Sequence, residues 1–295
     1  MVGSTTAYSL ISARVAEEIA LIDINKKVCL SQVMDLQHSV PFLGYTKIKA
    51  GSYADMKDSR IAVISCGASQ KVGETRLDLL QKNSAIIKEL MPEIFKHNQD
   101  IIVIIVTNPV DILTNIAIKM FPKKKRQIFG SGTILDSARL RFLLGQELSI
   151  DPKSLHAYII GEHGDSEVPL WSTVMIGNTP LDRFQKISRK KKEIIFNQAK
   201  NAAYAIITGK QATYYAIAAG VASLIEAILL NKNTVFTVSH PLDGKFGLRG
   251  VSLSLPLVIG AKGVTRDIDI KISPEEKKLL HRSARKLKNV ENSLK

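Results

Sequence analysis

Short β-branched runs alternate with longer amphipathic segments in the first half of the chain. Residues 19–23, 61–65 and 101–106 predict strands, and the last run is apolar on both faces, as in the centre of a sheet. Apolar residues recur at helical spacing from Leu77 to Phe95, with Pro92 expected to kink that helix. Strands that alternate with helices are typical of crossover units. The first half is therefore predicted to be an α/β domain with a doubly wound parallel sheet.

The pattern changes after about residue 130. Residues 155–160 predict another strand, and the segment 235–264 predicts short strands separated by glycines. We therefore expect two domains, at 1–130 and 131–295, the second being a mixed α+β substrate domain. A helix near 213–231 could pack back on the first domain. No repeat or low-complexity linker separates the halves.

Composition limits the class of protein. A chain of 295 residues with 45% hydrophobic content can bury an enzyme-sized core. Its longest apolar helical stretch, 216–230, contains Glu226 and is shorter than the roughly 20 residues of a membrane span. The N-terminus lacks the pattern of a signal peptide, and the two cysteines lack metal-ligand spacing. We expect a cytoplasmic protein without a membrane partner or a metal site.

The net charge of +14 raises the question of nucleic-acid binding. The densest basic runs, at 123–126 and 189–192, have no interleaved aromatic residues, and the other basic residues are spread along the chain. Solvated faces that attract small anions explain this distribution better than a nucleic-acid partner.

An acidic residue at the end of the first predicted strand bears on the cofactor. Asp23 lies about 20 residues after Gly3, the spacing at which a carboxylate meets an adenosine ribose. That placement favours NAD over NADP. The alternative is that Asp23 is simply a turn residue.

Candidate catalytic groups cluster after predicted strands. His163 lies between glycines just after residues 155–161, where a group that titrates near neutrality could act. Asp136 and Arg139 are three residues apart and share one face of a helix, while Arg76 and Asn108 also follow strands. A lone structural histidine and a surface ion pair are the alternatives, and the convergence of these groups favours a site.

Three segments resemble motifs of the L-lactate and malate dehydrogenase family. They are Thr107-Asn108-Pro109-Val110-Asp111, Leu135-Asp136-Ser137-Ala138-Arg139 and Gly161-Glu162-His163-Gly164-Asp165-Ser166-Glu167. They occur in family order and spacing, and the resemblance runs from Met1 nearly to the C-terminus. It implies a Rossmann-like fold and reversible, NAD-dependent oxidation of a 2-hydroxyacid.

The resemblance also implies roles for these residues. His163 would exchange a proton with the substrate oxygen, and Asp136 would orient and stabilise its imidazolium. Arg139 would grip the substrate carboxylate, Arg76 would close over the substrate from a mobile loop, and Asn108 would hydrogen-bond near the same oxygen.

Further binding residues follow from the same resemblance. Thr213 would line the substrate pocket, and Ile217 would pack on the nicotinamide. The expected cofactor-binding set is Gly3, Asp23, Gly67, Ala68, Asn108 and Ile217.

Residue 70 bears on the choice between lactate and malate. Malate enzymes of this family carry arginine there, because the second carboxylate of malate must be paired when it is buried. Neutral Gln70 favours pyruvate and lactate, and malate remains the lesser alternative.

Two residues match an effector site. Arg141 and His156 correspond to residues that bind fructose 1,6-bisphosphate across a subunit interface in bacterial members of the family. An arginine and a histidine merely hydrated at an interface are the alternative. The family further implies a homotetramer and a role in fermentation and glycolysis.

The chain departs from the family pattern at its beginning. The first strand and the first two glycines of the dinucleotide fingerprint are absent, and only Gly3 remains. We expect this to leave neighbouring strand ladders unpaired. A start codon placed too late or a truncated gene would explain it, so a catalytically impaired remnant or a non-catalytic subunit is the alternative to an active enzyme. Gln211 also replaces a glycine before Ala212.

Overall fold

Strands and helices alternate through most of the computed structural model, which describes residues 1–68 and 75–294. The helices are α1 (Val2–Ala13), α2 (Lys26–Leu43), α3 (Arg76–His97), α4 (Val110–Met120), α5 (Ile134–Leu148), α6 (Leu181–Phe184), α7 (Arg189–Lys210), α8 (Tyr215–Leu229) and α9 (Pro274–Asn292). The strands are β1 (Glu18–Leu21), β2 (Lys47–Ala50), β3 (Ile61–Ile64), β4 (Ile102–Ile105), β5 (Ile128–Gly130), β6 (Leu155–His156), β7 (Ile159–Ile160), β8 (Val168–Pro169), β9 (Met175–Ile176), β10 (Thr179–Pro180), β11 (Thr234–Pro241), β12 (Ser252–Gly260) and β13 (Gly263–Asp267).

A six-stranded sheet in the order β13-β12-β11-β5-β4-β3 runs through the middle of the molecule. β3, β4 and β5 are parallel, and β11, β12 and β13 continue the sheet in antiparallel pairs. All four residues of β4 are buried, so the prediction that this strand is central is confirmed. β5 and β11 share one residue pair, Ser239 with Gly130, which is the seam between the two halves of the sheet.

β1 and β2 form a separate parallel pair in which Glu18 lies opposite Lys47. In the described residues, β1 and β3 share no ladder, and each pairs on one side only. The expected unpaired ladders are therefore present. Ile19 of β1 and Val63 of β3 nevertheless pack against the same apolar cluster, which includes Leu10 of α1. Side-chain packing thus connects the β1–β2 pair to the main sheet.

α3 confirms the helix predicted from the spacing of Leu77 to Phe95. Thr75 caps its first turn and forms a reciprocal capping box with Asp78. The helix continues through Pro92 to His97. α8 packs its apolar face on α1 and β4 within one buried cluster. Within the described ranges, no helix is long and apolar enough to cross a membrane.

Two predictions about the second half are wrong. The strand expected at 155–160 is split, because Leu155 pairs with Ile176 in one sheet and Ile160 pairs with Val168 in another. The break falls at residues 157 and 158, and the Ile159 N–H at the start of β7 donates to the Ser137 hydroxyl at 2.9 Å. At 235–264, where short strands were expected, the structure has two long strands, β11 and β12. The glycines at 244, 247 and 250 lie in the connection between them.

Gln211 provides a test of backbone strain, because it ends α7 with φ 68°, in the left-handed region. A non-glycine residue there costs about 1 kcal/mol. We expect Gln211→Gly to raise the free energy of unfolding by about that amount, measured by urea denaturation. Gln211→Ala removes the same side-chain atoms beyond Cβ and should give no gain. Equal stabilisation by both variants would contradict the backbone explanation.

Candidate active site

The segment Gly161–Asp165 lies directly after β7. Gly161 forms a single antiparallel bridge with Ser254 of β12 and has φ 88°, a conformation that favours glycine. His163 follows two residues later, and its side chain is 25% exposed. The turn therefore places the imidazole at the edge of the core, within reach of a small ligand.

A buried carboxylate fixes the imidazole of His163. Asp136 lies in the first turn of α5, is 2% exposed, and places Oδ2 2.6 Å from Nδ1 of His163. In the imidazolium, Nδ1 donates to Asp136, which leaves Nε2 as the ring nitrogen that can face a substrate. The structure thus brings these two predicted residues together.

Electrostatics favours the protonated imidazole. Burial alone would lower the pKa of His163, but the charge and hydrogen bond of Asp136 outweigh it, with help from the charges of Asp111 and Glu167. The pKa of His163 is raised to about 9. Burial also opposes ionisation of Asp136, yet His163 and Arg139 hold the pKa of that carboxyl below its usual value. Near neutral pH the pair is therefore an imidazolium and a carboxylate.

Arg139 shares the Asp136 carboxylate with His163. Its Nη1 donates to Asp136 Oδ1 at 2.9 Å, and its side chain is 13% exposed. The prediction that Asp136 and Arg139 share one helix face is confirmed. The other guanidinium nitrogens have no hydrogen bond to the described part of the chain, so they can meet a planar anion.

The residues around His163 are anchored by α9. The N–H of Glu162 donates to Ser283 Oγ at 2.9 Å, and Lys286 Nζ lies 2.9 Å from Glu162 Oε2. The N–H of Ser166 donates to the same carboxylate oxygen at 3.0 Å, and the Ser166 hydroxyl also donates to it. These bonds hold the turn in one conformation on a packed helix.

Asn108 lies at the carboxyl edge of the sheet, three residues after β4, with an exposed side chain. Its backbone carbonyl accepts a hydrogen bond from Asn83 Nδ2 at 2.7 Å. Asn83 Oδ1 accepts the N–H of Ala68 at 2.8 Å. Asn83, buried on α3, thus ties the segments after β3 and β4 together and positions two predicted binding residues.

Two glycines permit close approach at the same edge. A Cβ on Gly67 would lie 2.7 Å from Thr107 Cγ2 and 3.2 Å from Asn83 Oδ1. A Cβ on Gly3, in the first turn of α1, would lie 2.9 Å from Ser65 Oγ. The N-terminus of α1 therefore meets the end of β3, as the packing glycine of a dinucleotide fingerprint allows.

Asp23 is exposed two residues after β1. Its Oδ1 accepts the N–H of Asn25 at 2.8 Å, and Asn25 caps α2. The turn interpretation of Asp23 is therefore correct for one carboxylate oxygen. The exposed carboxylate can still bind a hydroxyl pair, so the two interpretations are compatible.

Thr213 lies just before α8, and Ile217 lies in its first turn. Thr213 is half-buried in the connection from α7, and Ile217 packs against the cluster beneath β4. Lys210 Nζ lies 3.5 Å and 4.0 Å from the ring centroids of Tyr214 and Tyr215, which fixes this connection by cation–π contact.

Two predicted substrate residues are outside or at the limit of what the structure describes. Gln70 lies outside the described residues. Arg76 is the first residue of α3, and its side chain is outside them as well.

The predicted effector residues lie on neighbouring elements. Arg141 is half-buried on α5 beside Tyr158, and burial lowers the pKa of its guanidinium. His156 is exposed on β6. Both are on the second half of the chain, away from the carboxyl ends of β3 and β4.

Three residues were not selected from the sequence. Asn83 and Asp111 each bind a backbone group of a predicted site residue, since Asp111 Oδ2 accepts the N–H of His163 at 2.7 Å. Glu167 is 7% exposed, and burial together with the charge of Asp136 raises its pKa to about 8. Asn83 and Asp111 could have been noticed in the sequence, because each is a polar residue at a position that helical periodicity predicts to be buried.

Together the groups can donate a proton and bind an anion at adjacent points. His163 supplies an acidic N–H, Arg139 supplies a planar cation, and the segments after β3 and β4 present backbone groups and Asn108. No group of three histidine, cysteine or acidic side chains that could hold a metal occurs in residues 1–68 and 75–294.

Family models match both halves of the chain. Residues 1–130 match the lactate/malate dehydrogenase NAD binding domain, and residues 133–295 match the lactate/malate dehydrogenase alpha/beta C-terminal domain.

Individual relatives are similar over almost the whole chain. The L-lactate dehydrogenase of Acetivibrio thermocellus is 45% identical over 301 aligned residues, covering 99% of this chain and 94% of the relative. L-lactate dehydrogenase 1 of Clostridium acetobutylicum is 41% identical, covering 99% and 95%.

Solved structures of lactate dehydrogenases are similar to this chain over its whole length. A lactate dehydrogenase from a Medee basin deep-sea metagenome library superposes with TM-score 0.96 at 36% identity, covering 99% of this chain and 95% of that one. The minor L-lactate dehydrogenase of Enterococcus mundtii gives TM-score 0.96 at 34% identity, covering 100% and 95%.

The charge of Asp136 can be tested directly on His163. We expect Asp136→Asn to lower the pKa of the His163 imidazole by about 2 units from its value near 9, because a buried neutral amide cannot stabilise the imidazolium. NMR titration of histidine-labelled protein measures it. His240, buried on β11, is an internal control whose titration should not change. A His163 pKa that stays near 9 in the variant would refute the assignment.

Proposed function

Because the chain belongs to the lactate/malate dehydrogenase family, we propose that it interconverts pyruvate and L-lactate with NAD as the cofactor. The observation that carries the proposal is the buried Asp136 carboxylate, which contacts His163 on one oxygen and Arg139 on the other. This arrangement suits a substrate with a carboxylate next to a carbonyl, since one group binds the anion and the other protonates the oxygen.

The carboxyl edge of the strands fits a dinucleotide. Gly3 and Gly67 leave no room for a Cβ, Asp23 presents an exposed carboxylate, and the backbone of Ala68 is held by Asn83. These residues, with Asn108 and Ile217, would hold NAD. When bound, the reduced cofactor supplies the hydride that reaches the carbonyl carbon.

His163 supplies the proton in pyruvate reduction. Its Nδ1 is engaged by Asp136, so the proton leaves from Nε2 to the carbonyl oxygen, and the neutral imidazole takes a proton back in lactate oxidation. Asp136 stabilises the imidazolium without itself becoming protonated. Pyruvate reduction therefore requires the imidazolium form of His163, which Asp136 stabilises.

Arg139 orients the substrate. Its guanidinium uses Nη1 on Asp136, and its remaining nitrogens bind the substrate carboxylate as a planar fork. Arg76, at the start of α3, stabilises charge that grows on the carbonyl oxygen, and Asn108 binds near the same atom. Thr213 lines the pocket.

Gln70 sets the preference for pyruvate. A neutral side chain leaves the second carboxylate of oxaloacetate or malate unpaired, and burying an unpaired carboxylate costs several kcal/mol. Pyruvate carries a methyl group there instead.

Regulation, assembly and location extend the proposal. Arg141 and His156 supply cationic groups for the phosphates of fructose 1,6-bisphosphate across an interface in a homotetramer. The exposed apolar side chains of α2, among them Leu30, Met34 and Phe42, support burial against another subunit. The enzyme would work in the cytoplasm, in glycolysis and fermentation, with its cofactor domain at 1–130 and its substrate domain at 131–295.

Loss of the proton donor tests the function. We expect the wild-type chain to oxidise NADH with pyruvate and His163→Ala to lower kcat by about 10²- to 10⁴-fold. NADH affinity, measured by fluorescence, should stay unchanged, because His163 contacts the substrate side. His97→Ala, at the end of α3, is the matched control and should retain turnover. An inactive wild-type chain would contradict the function, and an active His163→Ala variant would contradict the role.

Substrate preference tests the role of Gln70. We expect Gln70→Arg to raise the ratio of kcat/KM for oxaloacetate over pyruvate by about ten- to a hundredfold, the range of one charge-assisted hydrogen bond. Gln70→Met has similar length without charge and should not raise it. An unchanged ratio in the arginine variant would rule out this specificity argument.

A further inference from the structure

A second buried carboxylate lies against His163 from the other half of the molecule. Asp111 is in the first turn of α4, is 2% exposed, and accepts the His163 N–H on Oδ2 at 2.7 Å. α4 follows β4 and Asn108, on the side expected to hold the cofactor. The bond therefore connects that side to the backbone of the proton donor.

The other oxygen of Asp111 has little protein compensation. Oδ1 is buried without a hydrogen-bond partner among the described residues, and so is the Ser239 hydroxyl, which acts on this carboxylate. Thr114 Oγ1, one turn along α4, is buried and unpartnered as well. A Cβ on Gly130 would meet Thr114 Oγ1, and also Val110 Cγ2 at 2.7 Å, so the surroundings are tightly packed.

Burial of Asp111 determines the pH at which its carboxyl group ionises. Burial raises the pKa of Asp111 to about 6, although Ser239, the His163 N–H and the charge of His163 all act to lower it. At neutral pH Asp111 is ionised. Its hydrogen bond to His163 is then charge-assisted.

Other charges surround Asp111 and His163. Glu162 acts on Asp111 directly, and Asp136 and Glu167 act on the His163 ring. Arg139 from α5 and Lys200 from α7 act in turn on Glu167. Glu162 acts against ionisation of Asp111, and the charge of His163 favours it. Asp111 differs from the groups on α5 because it holds the backbone of His163 as well as facing its ring.

We propose that Asp111 is a positioning residue for the proton transfer, which fixes the His163 backbone and adds a second buried negative charge that stabilises the imidazolium. The role rests on the proposed function.

The wild-type protein gives the first test. The chain has six histidines, so selective ¹⁵N-histidine labelling leaves six amide signals, and the one absent from His163→Ala is that of His163. Its chemical shift should change with a midpoint near pH 6, as Asp111 gains its proton. Absence of any step in the His163 amide shift from acid pH up to neutrality would overturn the proposal, whether or not the protein turns over pyruvate.

Neutral variants give the second test. We expect Asp111→Asn and Asp111→Ser to lower the His163 ring titration midpoint by about one unit, and to move the alkaline fall of kcat/KM for pyruvate reduction down by the same amount. Thr114→Val, an isosteric change one turn away, keeps the charge and should leave both midpoints in place.

The outcomes separate the two claims. Lower kcat/KM at every pH with an unchanged midpoint would mean that Asp111 is only structural, and would overturn the proposal. A wild-type chain that does not reduce pyruvate would refute the proposed function, while the ring and amide titrations would still decide the role of Asp111. Should the neutral variants fail to fold, the wild-type amide titration decides alone.

Discussion

The buried carboxylate of Asp136 is the constraint on which the candidate site depends. A charge that is 2% exposed must be compensated, and His163 and Arg139 each take one oxygen. The first turn of α5 adds the favourable end of a helix dipole. Because Nδ1 is bound to Asp136, Nε2 is the free ring nitrogen of His163 in the proposed proton transfer, and because Arg139 uses only Nη1, its remaining nitrogens can bind an anion. Removing either partner would leave a buried charge, so geometry and protonation state are set by the same contacts.

The site is assembled across the seam of the sheet. β5 and β11 meet through a single residue pair, yet α4 packs beside this seam and Asp111 crosses it to the backbone of His163. Within the first half, Asn83 likewise hydrogen-bonds to the backbone of two segments, those after β3 and β4, and joins them. Buried side chains bonded to backbone groups thus make one rigid surface from segments that lie far apart in the sequence. Hydrogen bonds of this kind, made to the backbone of the site residues, determine how accurately the reacting groups are held.

Local periodicity was enough for β3, β4 and α3, because burial on one or both sides leaves a regular apolar pattern. It failed at 155–160, because β6 and β7 pair with different partners, β9 and β8, on either side of a break at residues 157 and 158. The extent of β11 and β12 depends on their pairing with each other, which the local sequence does not encode. His163, Asp136 and Arg139 could be found from residue type and spacing. Asn83 and Asp111 stand out in the sequence only as polar residues at positions that helical periodicity buries, and the distant backbone groups that they bind are not encoded locally.

The open edges of β1 and β3 have a consequence for how the protein unfolds. The ladder bonds of β1 are made with β2 alone, while β3 belongs to the six-stranded sheet. Apolar contacts such as those of Ile19 and Leu10 connect the two sheets, and such contacts lack the directional cooperativity of a continuous ladder. The cluster of Ile11, Val33 and Ile48 joins α2 and β2 to α1, so the attachment of the β1–β2 pair to the main sheet depends on α1 and not on a continuous ladder. We therefore expect β1, β2 and α2 to open more readily than the six-stranded sheet.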